Sequence, residues 1–434
     1  MPSPTRVVIT GMGWITPLGH DLDTVWSNLT KGASGVRPIE RFEAKTFSTN
    51  FAAQVRDYDF TQYVKDAKRH EHAGTHTRFA LGAARQAWSQ AKLDDTSLDM
   101  RRVGAYLVLD FNNYAFANLN AWQPEQNAID GKIWAQAAQD RMHRFDEIEQ
   151  EPIMPAAHLA MEFGVRGPVY NCLTACAAST QAIGEAVNIL QRGDADIMIS
   201  GGAHTMIHEL GITGFIRLTA LSSRTDNIEG ASRPFSRTRD GFVMGEGAGI
   251  VILETLEHAR QRGVEPIVEV IGYGSSADAY RITDIQPEGN GPAAAMGEAL
   301  GQAGLDPEGK GADGRPPVHY ISAHGTGTKE NDSIETRAVK KVFGDNAPAI
   351  PMSSIKSMMG HLIAAAGAVE LITCALAIEH QMLPPTINLT DPDPDLDLDY
   401  VPNEARPSEV ETCLSNSFGF GGQNDTLIIR RFSE

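Results

Sequence analysis

Three side chains that can carry covalent and proton-transfer chemistry lie in short segments rich in small residues. Cys176 lies in the segment TACAAS, His324 opens the segment HGTGT, and His361 follows the segment KSMMG. A cysteine thiolate can accept an acyl group, and imidazoles are suited to stabilise an oxyanion or to move protons near neutral pH. Together the three residues predict carbon–carbon bond formation on thioesters.

Cys176 precedes a run of alanine and glycine that predicts a closely packed helix over residues 178–191. A thiol at a helix N-terminus is drawn toward its thiolate from an ordinary pKa of about 8.5, so we expect Cys176 to be the reactive cysteine. The remaining cysteines, Cys172, Cys374 and Cys413, lie in apolar contexts typical of core positions. Cys172 and Cys176 are close in sequence, but no second pair of cysteines or histidines follows at ligand spacing, and we expect no metal.

The two histidines have neighbours that favour a functional role. His324 follows a strand predicted over residues 318–322, at the edge where the sites of parallel α/β sheets collect. Thr326 and Thr328 place hydroxyls beside it that suit the amides of an extended substrate arm. Lys356 gives His361 a cationic neighbour. Taken alone, either histidine is more often an ordinary hydrogen-bonded loop residue.

A glycine-rich run and a histidine cluster complete the candidate features. Residues 416–424, NSFGFGGQN, combine a backbone that can approach a ligand closely with aromatic rings that can swing over it. No lysine follows at the spacing of a phosphate-binding loop, so we expect no nucleotide site. His70, His72 and His76 have helical spacing on a charged segment, and we expect a solvated face there.

Strand-like apolar runs and helical patterns alternate along the chain, which predicts layered α/β architecture with buried parallel strands. The expected strands cover residues 7–9, 103–109, 195–200, 267–271, 318–322 and 426–430, and the expected helices cover residues 75–92, 178–191, 292–303, 333–343 and 362–379. The pattern restarts near residue 260, so we expect duplicated halves, residues 1–260 and 261–434. Cys176 and His361 each precede an Ala- and Gly-rich helix, which favours duplication over two unrelated core helices. Residues 111–150 interrupt the pattern as an insertion or lid-like region.

Composition restricts the protein's partners and compartment. The formal net charge of −18 argues against general affinity for nucleic acid. Four cysteines are too few for a disulfide scaffold and suit a reducing cytoplasm. We identify no secretory segment at the start and no apolar run long enough to span a bilayer. We therefore expect a cytoplasmic protein with no nucleic-acid or membrane partner.

The motifs and their order resemble the elongating β-ketoacyl-acyl carrier protein synthases of the thiolase-like superfamily. The resemblance rests on VITGMG near the start, the cysteine segment, SRPF and RDGF within residues 232–242, both histidine segments, DYVPNEAR at residues 399–406, and the final glycine run. It implies a duplicated thiolase-like fold with five layers, α-β-α-β-α, and a homodimer. It also implies no cofactor, because the phosphopantetheine arm belongs to the acyl carrier protein that delivers the substrate.

The same resemblance implies a role for each catalytic residue. Cys176 would accept the acyl group, and the backbone N–H groups of Cys176 and Phe420 would form the oxyanion hole. His324 and His361 would assist decarboxylation of a malonyl thioester. Lys356 would orient His361.

Further implied roles concern binding and support. The substrate-binding residues would be Thr326, Thr328, Phe111 and Phe420. Asp332 and Glu335 would organise the site behind His324. Phe111 would narrow the acyl channel and favour short acyl primers, unless it is an ordinary core residue.

The implied function is decarboxylative Claisen condensation of an acyl group on Cys176 with malonyl-acyl carrier protein, in fatty-acid, polyketide or polyene-type biosynthesis. One alternative is a non-catalytic partner subunit that sets product chain length, although such partners lack the cysteine. Another is a non-decarboxylating acyltransferase or thiolase, which would use a second reactive cysteine as its base. Departures from the usual pattern at residues 108–113, His204 and Arg281 leave the pathway open.

An acidic carrier protein would need a local basic surface on this acidic chain. Lys65, Lys68 and Arg69 match a segment near the entrance of related synthases. The further candidates are Arg217, Arg224 and Arg281. The alternative for the first three is an ordinary solvated helix face.

Overall fold

Strands and helices alternate through the part of the chain that the computed structural model describes. Described are residues 5–94, 97–108, 122–123, 128–141, 145, 148–149, 151–311 and 314–434. The strands are β1 (Val7–Ile15), β2 (Val36–Pro38), β3 (Phe51–Ala53), β4 (Val103–Val108), β5 (Trp122–Gln123), β6 (Ala128–Ile129), β7 (Val169–Cys172), β8 (Ile197–His204), β9 (Gly247–Thr255), β10 (Val268–Ala277), β11 (Tyr320–Ser322), β12 (Met352–Ser353), β13 (Met382–Leu383), β14 (Arg406–Pro407), β15 (Thr412–Gly419) and β16 (Gln423–Arg431). The α-helices are α1 (Leu22–Thr30), α2 (Thr75–Gln90), α3 (Gly131–Arg141), α4 (Met154–Phe163), α5 (Ala178–Gln191), α6 (Glu209–Arg217), α7 (Leu256–Gln261), α8 (Asn290–Ala303), α9 (Lys329–Phe343), α10 (Lys356–Met359) and α11 (Ala366–His380). Short 3-10 turns include Ala67–His70, Ala175–Ala177 and Ile363–Ala365.

Ten of these strands form one mixed sheet in the order β12-β11-β15-β16-β10-β1-β9-β8-β4-β7. The first half contributes β7-β4-β8-β9-β1, and the second contributes β12-β11-β15-β16-β10. In each half the first two pairs of neighbours are parallel and the next two are antiparallel. The two five-stranded units are therefore repeats of one topology, joined where β1 pairs with β10.

The helices form three layers around the two halves of the sheet. α2 and α4 pack on the outside of the first half, and α8 packs on the outside of the second, with α9 against it. α5 and α11 contact each other and strands of both halves. The expected duplicated thiolase-like fold with layers α-β-α-β-α is confirmed.

Matching glycines in the two halves let the outer helices approach the sheet closely. A Cβ atom at any of four glycines would overlap a helix carbonyl oxygen. The pairs are Gly11 with Ala87, Gly13 with Ala83, Gly272 with Ala299 and Gly274 with Ala295. Each outer helix thus lies on a bare stretch of backbone in β1 or β10, which is why both strands carry two glycines at alternate positions.

The predicted elements agree with the structure best where a helix is long and regular. α5 has the predicted bounds, and α2 ends two residues before the prediction. α9 begins at Lys329, earlier than predicted, because the Thr328 side chain caps it by accepting a hydrogen bond from the backbone N–H of Asn331. Within residues 111–150 the described part contains β5, β6 and α3, whereas Phe111 lies outside the described residues.

The solvated face expected for His70 and His76 is wrong. Their exposed fractions are 0% and 2%, although His72 is partly exposed. His70 ends a 3-10 turn and contacts His158 of α4, and His76 lies in the first turn of α2, whose inner face packs on the sheet. The charged residues near His70 and His76 in the sequence therefore led to a wrong prediction of solvent exposure for these two buried imidazoles.

One stretch, Ile363–His380, is long and apolar enough to cross a bilayer by length and composition, contrary to the expectation from the sequence. It comprises a 3-10 turn and α11, and 89% of it is buried inside the protein. Because α11 lies between the two halves of the sheet, it meets protein on all sides, and an all-round apolar surface suits that position.

Candidate active site

Cys176 occupies a tight turn between β7 and α5. The turn is a 3-10 turn, Ala175–Ala177, in which Ala175 has a φ of 48°. Gly419 of β15 lies directly beneath, and a Cβ atom there would crowd the Cys176 backbone nitrogen. Strand end, turn and neighbouring glycine together hold the thiol at the start of a central helix, where the sequence predicted it.

The three chemistry-bearing residues meet in one place. The His361 Nε2 atom lies 3.0 Å from the Cys176 Sγ atom. One ligand atom each from Cys176, His324 and His361 lies within 4.8 Å of the other two. The rings of His324 and His361 stand nearly perpendicular, with centroids 5.4 Å apart. All three side chains are buried, with exposed fractions of 5% or less.

His361 is fixed by its backbone and by one ring nitrogen. Its N–H donates to the Val243 carbonyl at 2.7 Å, and its carbonyl accepts from the Gly245 N–H at 2.9 Å. Its Nδ1 atom accepts a hydrogen bond from the Ile363 backbone N–H at 3.2 Å. A neutral His361 therefore carries its proton on Nε2, the nitrogen that faces the sulfur.

His324 is held from the opposite side by a buried cation. The Lys356 ammonium donates to the His324 carbonyl oxygen at 2.6 Å and lies 3.5 Å from its Nδ1 atom. Lys356 also pairs with Glu370 of α11. Since Nδ1 faces a cation, the proton of a neutral His324 is also on Nε2. The resemblance gave Lys356 the role of orienting His361, but its hydrogen bonds are to His324 and Glu370.

Burial decides the charge state of the three groups. It lowers the pKa of His324 well below the ordinary value, and the charge of Lys356 adds to the effect. The pKa of His361 is likewise lowered well below its ordinary value, first by burial and then by Lys356. Both imidazoles are neutral hydrogen-bond donors at neutral pH.

Cys176 behaves differently from the expectation. Burial raises its pKa to about 12, although Lys356 and the backbone N–H groups of Phe420 and Cys176 itself lower it. The expected shift toward thiolate is wrong in direction, because the side chain is only 5% exposed and an apolar environment disfavours the anion. The two backbone donors nevertheless point at the sulfur, and they are the pair expected to form the oxyanion hole.

Two buried carboxylates organise the turn that follows His324. Glu335 accepts the backbone N–H groups of His324 and Gly325 on its two oxygens, each at 2.8 Å. Asp332 accepts the Gly327 N–H at 3.1 Å. Burial raises the pKa of Glu335 to about 7. Both carboxylates thus lie behind His324, where the resemblance placed them, and they fix the backbone of the turn.

A cavity of about 780 Å³ leads to the cysteine. Its lining includes all three reactive side chains together with Thr326, Thr328 and Phe420. The Thr326 and Thr328 hydroxyls lie 3.1 Å apart on one wall. Arg281 and Arg337 contribute cations to the same cavity. Its size and lining suit a long, flexible arm that ends at the sulfur.

The glycine-rich run forms the turn of a hairpin between β15 and β16. Gly421 and Gly422 have φ values of 87° and 73°, which favour glycine. The Gly421 N–H donates to the Ile282 carbonyl at 2.7 Å. Phe420 is half-buried at the start of this turn, beside the cysteine. The glycine-rich run therefore contributes to the lining of the cavity. The element that follows it is the strand β16 and not a helix.

Several residues that complete the site were not predicted from the sequence. Glu370, the buried partner of Lys356, has a pKa raised to about 7 by burial. Phe242 and Phe418 contact the rings of His361 and His324. A carboxylate in the apolar first half of α11 was a signal for Glu370, because such a residue is almost never buried without a partner. The two phenylalanines carry no such signal.

By distance alone, the sulfur and the two imidazoles could contact one soft metal ion. Metal binding would need a thiolate and two lone pairs directed at the ion. Here burial disfavours the thiolate, and both Nε2 atoms carry protons. The arrangement suits hydrogen bonding to a substrate oxygen better than it suits a metal.

Two family models match the chain. The model described as Beta-ketoacyl synthase, N-terminal domain matches residues 4–259, and Beta-ketoacyl synthase, C-terminal domain matches residues 267–390. The chain belongs to the β-ketoacyl synthase family. This synthase is 41% identical over 434 residues to the 3-oxoacyl-[acyl-carrier-protein] synthase 2 of Coxiella burnetii, with 98% of each chain covered.

Solved structures agree with that assignment. One is a type II PKS acyl-carrier protein in complex with its ketosynthase bound to the hexaketide, with a TM-score of 0.84, 35% identity, and coverage of 99% of this chain and 100% of that chain. Another is a β-ketoacyl synthase from Burkholderia phymatum, with a TM-score of 0.86, 31% identity and the same coverage. The family expected from the sequence motifs is confirmed.

Proposed function

We propose that the protein catalyses the decarboxylative Claisen condensation of an acyl group held on Cys176 with malonyl-acyl carrier protein. The observation that carries this proposal is the meeting of one thiol and two neutral imidazoles at the end of a long cavity. A partner subunit that only sets chain length lacks the cysteine, so Cys176 argues against that alternative.

In the first step the Cys176 sulfur attacks the carbonyl of an incoming acyl thioester. The backbone N–H groups of Cys176 and Phe420 stabilise the oxyanion that forms. The pantetheine thiol leaves and takes up the proton that the cysteine loses. Because the pKa of Cys176 is raised, the attack needs proton removal as the bond forms, and Lys356 favours the developing charge.

In the second step a malonyl thioester binds with its carbonyl oxygen between the Nε2–H groups of His324 and His361. These donors stabilise the enolate as the bond to the carboxylate breaks and carbon dioxide leaves. The enolate carbon then attacks the acyl-cysteine carbonyl. The β-ketoacyl thioester departs, and the released Cys176 thiolate takes a proton from solvent.

The remaining binding roles follow from the cavity. Thr326 and Thr328 would hold the amides of the phosphopantetheine arm along their wall. The protein would need no cofactor of its own and no metal, so activity should survive dialysis against a chelator. Lys65, Lys68 and Arg69 are exposed and would receive an acidic acyl carrier protein.

A homodimer is supported by the outer edge of the first half of the sheet. β7 is the last strand in the order and pairs on one side with β4. Tyr170, Leu173 and Met161 expose 52%, 48% and 42% of their surface beside this edge. A second copy that pairs with β7 would cover both the open strand edge and these apolar side chains.

Fatty-acid synthesis is the pathway best supported, since a relative at 41% identity is named a 3-oxoacyl-[acyl-carrier-protein] synthase 2. The polyketide alternative rests on a structural neighbour at 35% identity. We expect a cytoplasmic enzyme, in keeping with four free cysteines. We also expect a preference for short acyl primers set by Phe111, which acylation of wild type and Phe111→Ala with thioesters of graded length would test.

The central experiment mixes the enzyme with acyl-carrier and malonyl-carrier substrates. We expect a β-ketoacyl carrier two carbons longer than the primer, together with one carbon dioxide, as measured by mass spectrometry and gas release. Exchange of acyl groups without carbon dioxide release would favour a non-decarboxylating acyltransferase. Absence of any covalent acyl-enzyme would favour the partner-subunit alternative.

A further inference from the structure

A single buried carboxylate holds both ends of the basic segment that faces solvent near α2. Glu162 of α4 accepts the Lys65 backbone N–H on Oε1 at 2.9 Å, and its Oε2 lies 3.1 Å from His70 Nε2. Between these anchors Lys65, Lys68 and Arg69 are exposed. We call residues 65–69 the docking segment. Its backbone position therefore depends on Glu162.

The same carboxylate is the end of a chain of four buried groups. His70 Nδ1 lies 2.9 Å from His158 Nδ1, and His158 Nε2 lies 2.9 Å from Glu149 Oε1. The exposed fraction of every member is 8% or less. We call Glu149, His158, His70 and Glu162 the buried array.

The three contacts of the buried array fix its proton count. Each contact joins two nitrogen or oxygen atoms at hydrogen-bond distance, so each needs one proton between its atoms. Two neutral imidazoles supply two protons. A third proton makes one of the two imidazoles cationic, and that cation lies between two carboxylates. With only two protons, one contact brings two lone pairs together. That contact is the one between the two Nδ1 atoms, because each imidazole then donates its proton to a carboxylate. Its loss weakens the hold of His158 on His70, the residue that directly follows the docking segment.

Cationic neighbours oppose the third proton, which only the two carboxylates of the buried array favour. Arg85 of α2 lies 3.3 Å from Glu162 Oε1 and is shared with Asp94. The charge of Arg69 lowers the pKa of His70, and burial together with His158 lowers the pKa of His76 to about 4, so that His76 is neutral. Burial lowers the pKa of His70, so the third proton is lost on the acidic side of the ordinary imidazole value, which is about 6.5.

We propose that the buried array positions the docking segment for an acyl carrier protein and does so fully only while it holds its third proton. This inference rests on the proposed function, because it assumes that the carrier protein meets the docking segment. Glu162 is then a positioning residue, and carrier binding weakens as the pH rises.

Glu162→Gln provides a specific test. The amide introduced by this substitution would donate to His70 Nε2, so His70 would carry its proton on Nδ1 and donate it to His158. All three contacts are then satisfied by two neutral histidines. The variant should keep the docking segment in place without any extra proton. Glu149→Gln should likewise satisfy all three contacts with two neutral histidines, because its amide would donate to His158 Nε2 and His158 would donate from Nδ1 to His70.

The experiment measures carrier KM and kcat from about pH 5 to pH 8, alongside turnover of a small thioester surrogate. In the wild type we expect carrier KM to rise about fivefold, equivalent to about 1 kcal/mol, with rising pH. In Glu162→Gln and Glu149→Gln we expect a carrier KM independent of pH, at the low value. Glu162→Ala removes both anchors and should show the high value throughout. Glu151→Gln, an exposed carboxylate near Glu149, serves as the matched control and should follow the wild type.

Charge reversal at Lys68 and Arg69 tests whether the docking segment receives the carrier protein, separately from whether the buried array positions that segment. If reversal leaves carrier KM unchanged, the docking segment is not the carrier site. The proposed carrier contact and the proposed role of the buried array in positioning the segment are then both wrong. If reversal raises carrier KM but Glu162→Gln keeps the pH dependence of the wild type, the buried array does not position the segment. Nuclear magnetic resonance of nitrogen-labelled histidine supplies an independent readout. A proton shared between the two Nδ1 atoms should be present at low pH and absent at high pH, and its absence at every pH would overturn the inference.

Discussion

The two halves of the protein contain the same turn, and only one of them carries a nucleophile. In the first half a 3-10 turn, Ala175–Ala177, leads into α5, and in the second a 3-10 turn, Ile363–Ala365, leads into α11. Each turn begins with a residue at positive φ, 48° in Ala175 and 38° in Ile363. The second residue of the turn is Cys176 in one half and Ala364 in the other.

The surroundings of the two turns explain the difference in chemistry. Cys176 lines the cavity, whereas Ala364 packs against Ala178 and Ala182 of the first half. The second half instead places His361 two residues before its turn, 3.0 Å from the sulfur across the interface. The duplicated fold supplies two strained turns that face each other. One supplies the thiol and the other supplies the imidazole.

The largest expected effect comes from making the first turn like the second. Cys176→Ala should abolish acyl-enzyme formation and reduce condensation by at least about 10⁴-fold, because the covalent intermediate is lost. Intact-mass measurement after incubation with an acyl thioester checks this. Covalent labelling that persisted in the variant would assign the acyl group to another residue.

A matched variant tests whether the turn alone is sufficient to make a thiol accept an acyl group. Ala364→Cys in the Cys176→Ala background places a thiol at the equivalent position of the second half. We expect no acylation, because Ala364 is 2% exposed and is packed between the halves. Acylation of that thiol would show that the turn, and not its cavity, creates the nucleophile.

Removing either imidazole should separate the two chemical steps. His324→Ala and His361→Ala should still become acylated, but decarboxylation of malonyl thioester should fall by about 10²–10⁴-fold, since each variant loses one Nε2–H donor to the enolate. Release of labelled carbon dioxide measures this loss. Normal release in both variants would mean that the histidines have other roles.

The sequence predicted the parts of this comparison that depend on local pattern. The small residues of α5 predicted its bounds, and the order of motifs predicted the fold. β9 was not predicted. Its continuous apolar run, GAGIVILET, is buried along nearly its whole length, and periodicity alone does not distinguish such a run from a buried helix segment.

Properties that depend on distant segments were not predictable from local pattern. The burial of Cys176 comes from a cluster that includes Ile39, Phe242 and Ile363, which are far apart in the sequence. The contact between His70 and His158 joins residues 88 positions apart. The raised pKa of the thiol and the buried array therefore appear only once the chain is folded.

The thiol of the first turn should titrate as a buried group. With a pKa raised to about 12, the thiolate fraction of Cys176 increases about tenfold for each pH unit below that value. We expect its alkylation rate by a small haloacetamide to rise in this way from about pH 7 to pH 9 without a plateau. Site-specific mass spectrometry gives the rate at Cys176, with Cys172 as an internal comparison whose pKa is also raised to about 12. A plateau near neutral pH would show that the helix N-terminus outweighs burial.

The smallest expected effect concerns the two outer edges of the sheet, which differ although the halves share one topology. At the edge of the second half, Met352 and Ser353 of β12 are both fully buried. At the edge of the first half, Tyr170 of β7 exposes 52% of its surface.

We therefore expect self-association through β7 and not through β12. Tyr170→Asp should weaken the proposed self-association by about tenfold or more, because it would place a charge in the proposed apolar contact. Leu210→Asp, which alters an apolar side chain on α6 that is 59% exposed, should leave association unchanged. Sedimentation at graded concentrations distinguishes these outcomes, and a monomeric wild type or an unaffected Tyr170→Asp dimer would move the interface away from β7.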